Sequence, residues 1–191
     1  MIILASKSPR RKQLLEEAGI KFECHPADIQ ENSAQADPVL RVKELALQKA
    51  AAVAGQFPDM PVLGSDTLVH CKGEILGKPH GIDDALRMLR KQNGSWQEVC
   101  TGVALVWKSR GIAFAETAVS RCLARTLPEE FLKEMAAKHL DKAGAYAVQD
   151  KDDHFIEKIE GSFDTIVGLP VFLVKELLAK AGIEPDGTWK H

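Results

Sequence analysis

The chain predicts a mixed α/β fold, a twisted mixed sheet with flanking helices, on three observations. Strand-like and helix-like patterns interleave along its length, which places helices against a sheet. Two stretches read as hairpins, one turning at Lys72-Gly73 and one at Lys108-Ser109-Arg110-Gly111, and hairpins forbid an all-parallel sheet. With 191 residues, 45% of them hydrophobic, the chain can build one sizeable core or two lobes around a cleft. No repeat, low-complexity stretch or Gly/Ser-rich linker divides it, so residues 1–191 are expected to form a single domain.

The apolar run Ile2-Ile3-Leu4-Ala5 is the first strand, and it leads through Ser6-Lys7-Ser8-Pro9-Arg10-Arg11 into an amphipathic helix. Ser8 reads as its N-cap, Pro9 as its first residue and Gly19 as its stop. A short strand is expected at Phe22 to His25, then a polar loop from Ala27 to Asp37. Asp37-Pro38 opens a second helix, whose apolar stripe of Val42, Leu45, Ala46, Ala52 and Val53 also carries Lys49, and Gly55 ends it. Pro61 to Val69 is a strong strand signal, and Glu74 to Leu76 pairs back as a hairpin. Asp83 to Gln92 reads as a helix closed by Asn93-Gly94, and Gln97 to Leu123 as a long antiparallel hairpin. Pro128 starts a helix through about Lys138, Phe155 to Ile159 forms a strand, and Val171 to Ala181 is a final helix introduced by Gly168-Leu169-Pro170.

Charge and cysteine content narrow the function classes. A net charge of -2 argues against a protein that coats nucleic acid or a membrane surface, so any phosphate-binding charge must be local. Met1 to Ala5 is too short for a signal sequence, and no later apolar run has the length of a membrane span, so a cytoplasmic location is expected. Cys24, Cys71, Cys100 and Cys122 show no C-x-x-C pair and read as small reduced hydrophobes.

Arg10 and Arg11 lie in a first helical turn, where the helix dipole disfavours cations by about 0.3–1 kcal/mol each. An anion offsets that cost. Backbone N–H groups, the hydroxyls of Ser6 and Ser8, Lys7 and two guanidinium groups describe a phosphate or polyphosphate site, although the same residues also suit a solvated basic helix end. Asp66 interrupts the apolar strand around Val62-Leu63-Gly64-Ser65, and a carboxylate there calls for a cation, a metal or a turn to bond. The narrow backbone at Gly64 and Ser65 is expected to let a ligand approach. Lys49 can aim into a cleft or snorkel to the helix edge, Lys78 between Gly77 and Pro79 sits on a rigid loop, and Glu31 lies in the polar loop. Four cations (Arg10, Arg11, Lys49, Lys78) and two hard carboxylates (Glu31, Asp66) suit metal-assisted phosphoanhydride hydrolysis. No P-loop, no dinucleotide-binding G-x-G-x-x-G, no H-E-x-x-H and no G-x-S-x-G is present.

The segments Leu4-Ala5-Ser6-Lys7-Ser8-Pro9-Arg10-Arg11, Gly64-Ser65-Asp66-Thr67, Gly77-Lys78-Pro79, Lys142-Ala143-Gly144-Ala145-Tyr146 and Val167-Gly168-Leu169-Pro170 closely resemble the Maf family, in order and over nearly the whole chain. The resemblance implies a two-lobed fold like that of inosine triphosphate pyrophosphatases. It also implies a nucleoside triphosphate pyrophosphatase that cuts between the α- and β-phosphates with a divalent cation, Mg, Mn or Co. Asp66 is then the proton acceptor and, with Glu31, a metal ligand; Ser6, Arg10, Arg11, Lys49 and Lys78 surround the phosphates. Arg10, Thr67 and Gln149 resemble the branch acting on dTTP and UTP. The branch acting on 7-methyl-GTP typically has tryptophan, glutamine and glutamate at those positions, and a nucleotide-binding regulator of septum formation is a further alternative. Gln30, Asp150 and Phe163 depart from the family's usual acidic, glycine and tyrosine residues. The resemblance also suggests a homodimer; no nucleic-acid or membrane partner is expected.

Overall fold

The computed structural model describes residues 1–148 and 154–189. Among them the strands are β1 (Ile2–Leu4), β2 (Phe22–Cys24), β3 (Val62–Cys71), β4 (Glu74–Leu76), β5 (Trp96–Trp107), β6 (Ile112–Ala124) and β7 (Ile156–Glu160). The helices are α1 (Pro9–Glu17), α2 (Pro38–Ala54), α3 (Ile82–Gln92), α4 (Glu129–Ala136), α5 (Phe163–Val167) and α6 (Val171–Lys180). The sheet order is β2-β1-β3-β5-β6-β7, with β4 paired to β3. β1 pairs in parallel with β2 and β3, while the β3–β4 and β6–β7 pairs are antiparallel, so the sheet is mixed as its hairpins require.

The chain forms two compact units, residues 1–66, 101–118 and 168–191 in the first and 67–100 and 119–167 in the second. The first is a sheet covered on both faces, which the period of two along each strand makes possible. Ile2, Leu4, Leu63, Val103 and Leu105 point into one apolar layer with Leu15 of α1 and Leu173, Val174 and Leu177 of α6. Their strand neighbours Ile3, Val62, Ala104 and Val106 point the other way, against Ala46, Ala50 and Val53 of α2. The second unit packs Ala85, Met88 and Leu89 of α3 and Leu132 and Met135 of α4 with Val69, Val99 and Cys122 of the strands.

Local chemistry explains the boundaries. Asp37 Oδ1 accepts from the amides of Val39 (2.7 Å) and Leu40 (3.1 Å), capping α2 ahead of its N-terminal proline. Ser8 occupies the N-cap position of α1 but makes no side-chain cap; its amide donates to Ser6 Oγ at 3.2 Å. α4 stops at Ala136, short of the expected Lys138, because its end tightens into a bond from the Lys138 amide to the Met135 carbonyl. α5 is absent from the sequence expectations, since five residues are too few to display a helical period. It follows Ser162, whose amide and carbonyl both bond the Ser120 hydroxyl, at 2.9 and 3.0 Å.

Candidate active site

Asp66 is carried by β3 and Lys49 by α2, and a glycine sets the distance between them. A Cβ on Gly64 would collide with the Ala46 carbonyl and lie 2.8 Å from the Ala50 amide nitrogen; one on Gly102 of β5 would meet the Val42 carbonyl and lie 2.8 Å from the Lys43 nitrogen. Helix α2 therefore rests directly on two strand glycines. The backbone narrowed at Gly64 is filled by this helix and not by a ligand, which corrects the sequence expectation for that position. The close approach puts Lys49 Nζ 2.6 Å from Asp66 Oδ1. The same ammonium lies 2.9 Å from Glu31 Oε2, which arrives from the irregular segment before α2. The Lys49 and Asp66 side chains are only 12% and 13% exposed, so this pairing is far less screened than a surface ion pair.

Beside this cluster lies a clasp built on Arg11. Its Nε donates to the Gly168 carbonyl (2.8 Å), and Nη1 donates to the Ser65 carbonyl (2.9 Å) and to Ser6 Oγ (3.3 Å). Ser65, fully buried, directs its hydroxyl between the carbonyls of Gly102 (2.9 Å) and Gly168 (3.0 Å). Burial pushes the Arg11 guanidinium below its usual pKa, Asp66 pulls it back up, Arg10 lowers it and Glu31 raises it. A guanidinium remains charged through such a shift, so Arg11 is a partly buried cation that ties the Asp66 strand, at Ser65, to the backbone at Gly168. Gly168 adopts φ 118°, a left-handed value that glycine tolerates, and this turn aims its carbonyl at both donors.

The first unit thus gathers Ser6, Arg10, Arg11, Glu31, Lys49 and Asp66. Thr67 and Lys78 belong to the second unit, and Gln149 lies outside the described residues. Thr67 follows Asp66 on β3 and is partly buried; Lys78 is exposed on the loop after β4, next to buried Pro79. The Gly144 amide donates to the Gly77 carbonyl at 3.1 Å, joining that loop to the turn over residues 143–145. Gln92 secures the same turn from α3, its Nε2 donating to the Gly144 carbonyl at 2.7 Å. Sequence reasoning missed the organising roles of Ser65, Gln92 and the Gly168 carbonyl. The only available signals were a serine beside Asp66 and a glycine ahead of Leu169-Pro170.

Glu31 and Asp66, both paired with Lys49, are the carboxylates of this cluster that could hold a divalent cation. Among the described residues no three His, Cys, Asp or Glu side chains form a cage. Two hard oxygen donors fit a magnesium-type ion, which takes its remaining ligands from water and substrate phosphates. No helix among the described residues is long and apolar enough to cross a membrane.

A family model described as Maf-like protein matches residues 1–181. The chain is 49% identical over 181 residues to a dTTP/UTP pyrophosphatase of Elusimicrobium minutum, covering 95% of this chain and 98% of that protein. It is 43% identical over 186 residues to a dTTP/UTP pyrophosphatase of Thermotoga maritima, covering 95% and 89%. Among solved structures, a HAM1 protein from Coxiella burnetii aligns with a TM-score of 0.47 at 17% identity, over 66% of this chain and 74% of that one.

Proposed function

The chain belongs to the Maf-like family, and from that premise we propose that it is a nucleoside triphosphate pyrophosphatase hydrolysing dTTP and UTP to the monophosphate and pyrophosphate. The observation that carries the reading is the convergence of Asp66, Glu31 and Lys49 beside the Arg11 clasp. In this reading Asp66 takes a proton from a water whose oxygen attacks the α-phosphorus. The bond between the α-phosphorus and the oxygen bridging it to the β-phosphorus breaks, and pyrophosphate leaves with the electron pair. A divalent cation held by Glu31 and Asp66 would neutralise phosphate charge and acidify the attacking water. Lys49, Arg10 and Lys78 supply cations for the phosphate oxygens, with the Ser6 hydroxyl beside them. Arg11, bonded to Ser65 and Gly168, holds the backbone that presents Asp66.

Thr67 and Gln149 carry the base preference in the same reading. A side-chain amide offers both a donor and an acceptor to the imide edge of a pyrimidine, and a small Thr67 leaves room for the ring. A cytoplasmic location and a homodimer complete the proposal; sedimentation tests the second. The decisive assay is pyrophosphate release from dTTP, UTP, CTP, GTP and 7-methyl-GTP with magnesium or manganese, for the intact protein and for Asp66→Asn. Rapid loss of dTTP and UTP is expected, with turnover falling roughly 10²–10⁴-fold in the variant. Preference for 7-methyl-GTP would overturn the roles of Thr67 and Gln149, and silence on every nucleotide would overturn the reaction.

A further inference from the structure

We propose that Lys49 is a resident counter-cation: in the nucleotide-free protein its ammonium occupies the carboxylates a divalent cation would need, and it leaves them only when a triphosphate receives it. The inference rests on the reading of Glu31 and Asp66 as metal ligands and adds an order of binding to it.

Two carboxylates brought within reach of one another repel unless a cation lies between them. Lys49 Nζ is that cation, 2.6 Å from Asp66 Oδ1 and 2.9 Å from Glu31 Oε2. A magnesium-type ion binds carboxylate oxygen at about 2.0–2.1 Å, so an ion on these carboxylates lies close to the ammonium. The two cations oppose each other by charge. The backbone of α2 has no room to shift towards the sheet, because the close contacts of Ala46 and Ala50 with Gly64, and of Val42 and Lys43 with Gly102, are already at their limit. In this proposal the exchange comes from the lysine side chain swinging on its four-carbon stem.

That swing needs a destination. The Lys49 side chain is only 12% exposed, and an ammonium removed from its partners in such surroundings is costly unless another anion meets it. Arg11 cannot take over between the carboxylates, since its Nε and Nη1 are engaged by Gly168, Ser65 and Ser6. A triphosphate supplies the anion, drawing Lys49 onto its phosphate oxygens and opening Asp66 and Glu31 to the metal. Nucleotide and cation then raise each other's affinity by the same factor, as linkage demands.

The test is a titration of the full-length protein with Mn²⁺ in the absence of nucleotide, followed by the electron paramagnetic resonance signal of the free ion. Lys49→Met and Lys49→Gln are expected to bind Mn²⁺ about tenfold more tightly than the unaltered chain, a factor in the usual range of coupled sites. Adding Glu31→Gln to either variant should abolish the gain. Folded variants, judged by circular dichroism, that bind Mn²⁺ no more tightly than the unaltered chain would overturn the proposal. A measurement needing no variant is the ¹⁵Nζ resonance of Lys49 in EDTA, which is expected to shift on saturation with α,β-imido-UTP; an unmoved resonance also overturns it. Neither readout involves turnover. Failure of pyrophosphate release would strike the proposed reaction, whereas failure here with an active enzyme would remove only the counter-cation role.

Discussion

Arg10 and Arg11 are adjacent in the first turn of α1, and Arg11 is drawn into the backbone. It bonds acceptors 54 and 157 positions away in the chain, at Ser65 and Gly168. Hydrogen bonds from a charged donor are each worth roughly 1.5–3 kcal/mol, and removing this donor takes one partner from each of two buried carbonyls, although Ser65 Oγ still donates to that of Gly168. Arg11→Ala should therefore lower the melting temperature markedly. Arg10→Ala should raise KM for dTTP. Thermal denaturation checks the first and steady-state kinetics the second; an unchanged melting temperature in Arg11→Ala, or an unchanged KM in Arg10→Ala, would refute the corresponding role. The sequence presents these arginines alike, as phosphate cations, because acceptors so distant leave no mark on local spacing. Lys49 and Asp66 were more legible: a charge on an apolar helix stripe and a carboxylate in an apolar strand each lacked a partner, and the fold makes them partners.

At the scale of elements, the seam between α2 and the sheet determines the site. Gly64→Ala would drive a methyl group into the backbone of Ala46 and Ala50, neither of which can rotate away. Overpacking of this kind costs about 1–3 kcal/mol or more. In a chain of this size that corresponds to a fall of roughly 2–4 °C in Tm for each kcal/mol. The same displacement moves Lys49 from Asp66, so Mn²⁺ affinity and kcat should change together with stability; a variant with unchanged Tm would contradict the contact. Most elements were legible in the sequence. Asp37-Pro38 marks the start of α2, and the Lys72-Gly73 turn locates β4, because these signals act over a few residues. The five-residue α5 and the 143–145 turn were not, since each is held by remote partners, Ser120 in one case and Gln92 and Gly77 in the other. The purpose of Gly64 was misjudged for a related reason: a missing side chain shows that something approaches closely, not what.

At the scale of the molecule, the first unit is fastened by its latest segment. Asp186 accepts from the Thr188 hydroxyl at 2.6 Å and from its amide at 3.0 Å, and pairs with Lys21 at 3.2 Å. These bonds, those of Thr188 first, depress its pKa from 3.8 to about 2. A depressed carboxylate contributes stability above its unfolded pKa and loses it as pH falls through the folded one. Asp186→Asn should thus show a melting deficit at pH 7 that shrinks from about pH 4 downward and vanishes near pH 2; a deficit independent of pH would exclude this origin. The Arg11 clasp has a parallel consequence in time. A ribosome that has made residues 1–167 has already produced Asp66, Glu31, Lys49 and Arg11, but not the Gly168 carbonyl that Arg11 and Ser65 both grip. The nascent chain then holds these side chains without the acceptor that Arg11 and Ser65 share, so the clasp can close only once residue 168 has been added.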